Sequence, residues 1–534
     1  MSASWPAVAA APGMAAGPPF PAADDAVRRW ATLAPARTAL VEADGGARTD
    51  YAALDREGDA WGRVLAECGV GAGDRVALLA GTAPACVALF VACLRLRAML
   101  VPLNWRLAPP ELARVLADAR PAVLVTDTRR RALADATLAL PTAPGVRSLD
   151  LEAARGAGSR AAPLPVPHAG PEEGTMILYT SGSTGVPKGV ILPRRQLLYN
   201  AVATAVGWRF GPDEVAPVST PLFHTGGWHV FLTPLLHLGA TVVLVDAFEP
   251  EAFLATLAEH GCTMAFAVPT QLAMLADARG WGRPLPALRR IVAGGAPCPP
   301  RVRGEVRRAG YRFREAYGLT ECGPNCFTTS DEAAEAHPGS VGWPVPFLEL
   351  RLADEQGREV AVGEPGELLL RGPQLFGGYF GAPERTAEVL TAEGWLRTGD
   401  LAVRDAAGVT RICGRRKEMY ISGGENVFPG EVEAALCGCP GVAEAAVVGV
   451  ADARWGEVGR AYVVARRGAE LDVPTLLAQA RGLLAGYKLP RHVVLVDALP
   501  RLGSGKVDRR ALLALSEAGP VPEHGCAVPE GSSA

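Results

Sequence analysis

Short apolar runs alternate with segments of helical period from about residue 37 to residue 300. Residues 75–80 read as a buried strand, 83–97 as a helix and 99–103 as the next strand. Residues 111–119 are again helical and 122–126 again a strand, and 241–245 and 290–293 continue the series. Strands alternating with helices of this length predict βαβ units and parallel sheets. Beyond about residue 340 the pattern changes to glycine-punctuated strands such as 366–371, which suit a smaller β-rich subdomain.

A second change comes at residues 413–418. After it follow a helix (429–436), two strands (443–450 and 460–465), a helix (473–484) and a strand (492–496). This is a small α+β unit able to fold as its own domain. The expected architecture is therefore α/β. A large N-terminal domain (21–414) of βαβ-type sheets with its β-rich subdomain precedes a small C-terminal domain (415–515). Residues 1–20, rich in Ala, Pro and Gly, and residues 516–534 are expected to be a disordered lead-in and tail.

Composition narrows the function classes. Apolar residues make up 49% of the 534 and charged ones 20%, as in a soluble globular enzyme. A net charge of -3 gives no basic footprint for nucleic acid. The longest apolar stretch, 83–101, is broken by Arg95 and Arg97 and reads as a buried helix and strand instead of a membrane span. Eleven cysteines include only two close pairs, Cys322/Cys326 and Cys437/Cys439, and neither has zinc-knuckle spacing. Buried thiols in a reducing cytoplasm account for them.

Of the 53 basic residues only four are lysine: Lys188, Lys417, Lys488 and Lys506. A chain that uses arginine elsewhere keeps lysine where a compact charge on a flexible stem is needed. Lys188 and Lys506 both follow glycine-rich loops. An apolar strand (Ile177, Leu178, Tyr179) runs into Thr180, Ser181, Gly182, Ser183, Thr184 and Gly185. Backbone N–H groups and hydroxyls of such a loop are free to cradle phosphate oxygens. It is not a Walker A loop, because Lys188 lies between Pro187 and Gly189 with no Ser or Thr after it.

With this loop the chain resembles the adenylate-forming superfamily, which includes acyl-CoA and aryl-CoA ligases, over roughly residues 25–515. The resemblance implies a two-step reaction. A carboxylate attacks the α-phosphorus of ATP to give an acyl-adenylate and pyrophosphate, and a thiol then displaces AMP. It implies ATP, Mg²⁺ and coenzyme A as ligands. By the same likeness, Gly294, Gly295, Ala296 and Pro297 form the adenine-binding strand end. In the motif Glu315, Ala316, Tyr317, Gly318, Thr320 and Glu321, Tyr317 would stack on adenine, Thr320 would bind phosphate and Glu321, with Thr184, would hold Mg²⁺. Asp400 would take the ribose hydroxyls, Arg415 would contact ribose or phosphate, and Lys417 would be the hinge. Ser422, Gly423 and Gly424 would line the pantetheine tunnel. Lys506 is assigned the first step, as a mobile ammonium that offsets charge where carboxylate meets phosphate. His224 would border the acyl tunnel as a gate more than as a general base, and Lys488 reads as structural.

The acyl pocket is expected between His224, Trp228, Val268, Gly294, Gly318 and Asn325. These segments contain no Lys or Arg, so a hydrophobic fatty, aryl or alicyclic acid fits better than a dicarboxylate. No carrier-protein attachment motif follows, which favours CoA as acceptor over a separate acyl carrier protein. A non-catalytic nucleotide-binding relative would have lost Lys506, Glu321 or Thr184, and all are present. The resemblance leaves the assembly open between monomer and homodimer.

Overall fold

The computed structural model describes residues 25–153, 163–165, 168–180, 187–502 and 506–517. The expected lead-in at 1–20, the tail beyond 517 and the loops 181–186 and 503–505 lie outside the described residues.

Valine, leucine and alanine dominate the predicted strands, and these are buried on both faces, as parallel strands covered by helices must be. Arg75–Leu79, Met99–Pro102, Val123–Thr126, Arg147–Asp150 and Gly174–Thr180 pair in parallel within a six-stranded sheet. Its last strand, Lys188–Pro193, is antiparallel to Gly174–Thr180. A second sheet places Thr38–Glu42, Thr241–Leu244 and Val215–Val218 in parallel, with Arg48–Asp50 on its edge. Met264–Ala267, Arg290–Ala293 and Phe313–Glu315 form a third, wholly parallel sheet. The expected β-rich subdomain is a four-stranded antiparallel sheet: Glu349–Ala353, Gly366–Arg371, Leu396–Arg404 and Thr410–Arg415.

Strand pairing moves the expected domain boundary. Arg415 still belongs to that antiparallel sheet, opposite Asp400. The C-terminal sheet begins at Tyr420–Ser422, so the junction comprises residues 416–419. Beyond it, Val442–Asp452 and Gly456–Ala465 form a long hairpin, with His492–Leu495 parallel to the second strand. In the C-terminal domain the sequence reading did not include two features. One is the hairpin Tyr420–Ser422/Glu425–Val427, too short to show a period; the other is the helix Arg509–Glu517. Among the described residues no helix is long and apolar enough to cross a membrane.

Arg95, which breaks the longest apolar run, is itself fully buried, with 0% side-chain exposure. Its guanidinium takes Asp25 at 2.8 Å, Asp55 at 2.5 Å and Asp59 at 2.7 Å. Arg28 shares Asp55 and Asp59, both at 2.7 Å. The network ties the first helix, Ala26–Leu33, to Tyr51–Glu67 and Pro84–Leu96. Removing one partner of a buried ion cluster strands the others, at a cost of about 3–5 kcal/mol. Arg95→Met is expected to lose about that much stability in urea unfolding followed by tryptophan fluorescence. Arg95→Lys should recover only part of it, because an ammonium cannot reproduce a fork shared among three carboxylates.

Candidate active site

The site is built where the third parallel sheet, the six-stranded sheet and the antiparallel sheet meet. Arg290–Ala293 ends in Gly294 and Gly295, the latter at φ +84°, a conformation that favours glycine. A Cβ on Gly294 would lie 2.9 Å from the Phe266 ring and 3.3 Å from the carbonyl of Ala316. The neighbouring strand continues through Ala316, whose N–H bonds the Ala293 carbonyl at 2.7 Å. The chain then folds back tightly: a Cβ on Gly318 would come within 2.2 Å of the Pro324 backbone. Only glycine fits there, which is why the motif carries it.

Tyr317 follows the strand end, its ring edge-on to Phe327 at 5.7 Å, and its hydroxyl donates to Asp400. Asp400 is 4% exposed and also takes Arg415 Nε at 2.6 Å from the adjoining strand. Burial pushes the Asp400 carboxyl up, against the downward pull of Arg415, Tyr317 and Lys506. One oxygen of Glu321 accepts the Tyr379 hydroxyl at 2.9 Å. Lys188 Nζ lies 4.7 Å from the centre of the Tyr379 ring, a cation–π distance. Tyr379 reaches this place because residues 377–380 pair with the open edge of Lys188–Pro193, including a Val190–Tyr379 bridge. Sequence reasoning missed Tyr379; a Gly377–Gly378 pair before an aromatic was the available signal.

Lys506 enters from the C-terminal domain. It lies within electrostatic range of Arg415, Asp400, Glu321 and Glu418, and of His224. Its own surface is solvent-accessible although cleft walls surround it, the condition of a side chain in an open cleft. Enclosure and the Arg415 charge lower its pKa. His224 is held near pKa 4 by burial first, then by Lys506 and Arg106. It is therefore neutral at pH 7 and adds no cation to the acyl side. Glu418, at the junction, pairs with Arg509 at 3.0 Å, and Arg416 with Glu367 at 3.3 Å, so both junction charges are partnered instead of free on a linker. Lys417 is exposed between them. Lys488 pairs with Glu431 at 2.7 Å, in keeping with a structural role.

The structure thus brings together Thr180, Lys188, Gly294, Tyr317, Glu321, Asp400, Arg415 and Lys506 from three sheets and both domains. Thr180 pairs with Lys188 across the base of the loop, while Ser181, Gly182, Ser183, Thr184 and Gly185 lie outside the described residues. Ala296 and Pro297 continue the strand end, and Thr320 accepts from Gln196 through its carbonyl at 3.1 Å. A hard oxygen donor suits Mg²⁺, and the second Glu321 oxygen has no partner among the described residues.

Three expectations are corrected. Trp228 does not line the acyl pocket: it is 0% exposed, its indole N–H donates to the Leu222 carbonyl at 2.5 Å, and its ring packs on Phe90. Asn325 is equally buried and donates to Thr204 Oγ1 at 2.9 Å and the carbonyls of His229 and Val230. Glu315 alternates to the far face of its strand, where it pairs with Arg303 and accepts from the Cys298 N–H, bracing the turn after Pro297. Ser422, Gly423 and Gly424 form the turn of a C-terminal hairpin, with both glycines at positive φ, as a tight two-residue turn requires. The Gly423 N–H donates to the Trp455 carbonyl at 2.9 Å, and no backbone hydrogen bond joins this turn to the nucleotide residues among the described residues.

The chain matches the family model of the AMP-binding enzyme over residues 27–380 and that of the AMP-binding enzyme C-terminal domain over residues 431–506. It is 40% identical to a feruloyl-CoA synthase of Amycolatopsis sp, covering 90% of this chain and 96% of the relative. It is 39% identical to an indoleacetate–CoA ligase of Aromatoleum aromaticum, covering 91% and 97%. The o-succinylbenzoate CoA synthetase of Bacillus subtilis, solved with its acyl-adenylate intermediate, superposes with a TM-score of 0.83 at 30% identity, covering 91% and 97%. The same enzyme solved with ATP and magnesium ion superposes at 0.82, also at 30% identity, covering 92% of this chain and 99% of that one. With its cleft and its two domains in this agreement, the chain belongs to the AMP-binding enzyme family and is an ATP-dependent acid–CoA ligase that works through an acyl-adenylate.

Proposed function

We propose that the acid activated here is apolar, an aromatic, alicyclic or fatty acid, and that coenzyme A is the acceptor in the cytoplasm. The observation that carries this reading is the wall between His224 and Gly294. Phe223, His224, Phe266 and Val268 border it, the imidazole is neutral, and Arg106 lies over the rings of Trp105 and Phe223. Among the described residues of this wall the one cation is Arg106, which is exposed and lies against two aromatic rings, so a second carboxylate reaching past it would be desolvated without a partner. The relatives named for ferulate and indoleacetate act on aromatic acids, which supports the same class.

In the first step the Lys506 ammonium sits between the carboxylate side, at His224, and the phosphate side, at Asp400 and Glu321. There it offsets the like charges that approach and the charge that builds on the bridging oxygen. Tyr317 and Arg415 hold the Asp400 carboxylate where two vicinal ribose hydroxyls can donate to it. Tyr379 orients Glu321, which with Thr184 would hold Mg²⁺; the ion, when bound, neutralises phosphate charge. Lys188 and the loop residues Thr180, Ser181, Gly182, Ser183, Thr184 and Gly185 would hold the outer phosphates. In the second step Lys506 must withdraw, and residues 416–419, the short stretch between the last strand of the antiparallel sheet and the first strand of the C-terminal sheet, would absorb that rotation. The turn Ser422, Gly423 and Gly424, away from the nucleotide in this arrangement, would then approach the thiol arm.

Acid-dependent pyrophosphate release over a panel of aryl, fatty and dicarboxylic acids tests the reading. Apolar acids are expected to turn over and dicarboxylates are not; preferential use of a dicarboxylate would sink it. Lys506→Ala should lower adenylation by about 10²-fold or more. Its conversion of chemically supplied acyl-adenylate and CoA to thioester should survive, which separates a step-one role from misfolding. Tyr317→Phe removes one donor from a buried carboxylate, worth about 1–3 kcal/mol. It is expected to raise KM for ATP roughly tenfold with a smaller change in kcat, measured at saturating acid.

A further inference from the structure

We infer that Phe266 is the floor of the acyl pocket and restricts this ligase to compact acids, an aromatic ring or short aliphatic body, to the exclusion of long alkyl chains. The inference rests on the apolar-acid reading above and narrows it.

Side chains alternate along Met264–Ala267. Ala265 and Ala267 pack into the core on one face of the sheet, and Met264 and Phe266 face the other way. The Phe266 ring covers Gly294, where its Cε2 lies 2.9 Å from the position a Cβ would take. It is 8% exposed, whereas Phe231 behind it is 1% exposed, so Phe266 is the last ring an incoming acid touches. Phe231 meets Phe266 edge-on at 6.4 Å, and its other contacts are Phe210 at 5.7 Å and Trp208 at 6.4 Å. The Trp208 indole N–H donates to the Phe327 carbonyl at 3.0 Å, which locks the wall to the loop after the Thr320–Glu321 motif.

Behind Phe266 the described rings are close-packed, with Phe231 1%, Trp208 5% and Phe210 9% exposed. A cavity of about 10 Å³, enough for one water, lies among Trp208, Met264, Val292 and Phe327. Its far side is charged: Arg290 and Arg314 both line it, and both hold Asp331, at 2.9 Å and 2.6 Å. A methylene chain forced past Phe266 would strip water from guanidinium groups and give no hydrogen bond in return. The gain of roughly fourfold in binding per buried methylene therefore ends at Phe266.

The test is kcat/KM for pyrophosphate release with straight-chain acids of increasing length, beside phenylacetic and 3-phenylpropenoic acid. The wild-type enzyme is expected to prefer the aryl acids and to lose activity once the alkyl chain outgrows them. Phe266→Ala should raise kcat/KM for dodecanoic acid at least about tenfold and lower it for the aryl acids by a similar factor. Phe266→Leu, a gentler change that keeps the fold if alanine does not, should move the length profile in the same direction by less. Equal wild-type use of hexadecanoic and aryl acids would overturn the inference while leaving the apolar-acid reading intact, as would an unchanged profile in a folded variant. Failure of every apolar acid, with turnover of a dicarboxylate, would overturn both.

Discussion

The buried carboxylate of Asp400 is the constraint on which the cleft depends. It is a charge without a water shell, so it must be met by donors, and the fold supplies them from different places. Tyr317 comes from the end of the third parallel sheet, Arg415 from the next strand of the antiparallel sheet, and Lys506 from the C-terminal domain. Satisfying one carboxylate thereby relates two sheets to one another and brings the charge of Lys506 from the C-terminal domain into their range.

Around that centre, backbone proximity does as much as side-chain chemistry. Gly294 and Gly318 are small because a ring and a backbone segment already occupy the space a Cβ would need. Glu321 and Lys188 are related through Tyr379, which offers a hydroxyl to one and a ring face to the other. Each reactive group is therefore set by a neighbour on a different element. Such positioning costs little at the moment of reaction because it is made during folding.

The fold was largely legible. Strands such as Arg290–Ala293 and Gly366–Arg371 are bounded by the residues their apolar runs predict, since burial on both faces demands continuous apolar sequence. The short hairpin at Tyr420–Ser422 and the helix Arg509–Glu517 were not legible. Three residues carry no period, and the helix is anchored by single distant contacts: Leu512 in the core, and Arg509 on Glu418 and Glu433.

At the site, the sequence by itself offered a glycine-rich loop suited to phosphate, with Lys188 and Lys506 beside such loops, and the chemistry of activation came from the resemblance that these motifs carry. Which of them face the cleft was decided only by tertiary structure. Glu315 and Tyr317 stand two residues apart, yet one braces a turn behind the sheet and the other holds Asp400. Trp228 and Phe266 are both large aromatics, but the first is spent on Phe90 and a carbonyl while the second meets Gly294. Direction and burial depend on what distant segments pack against a side chain, and that information is not local to any stretch of sequence.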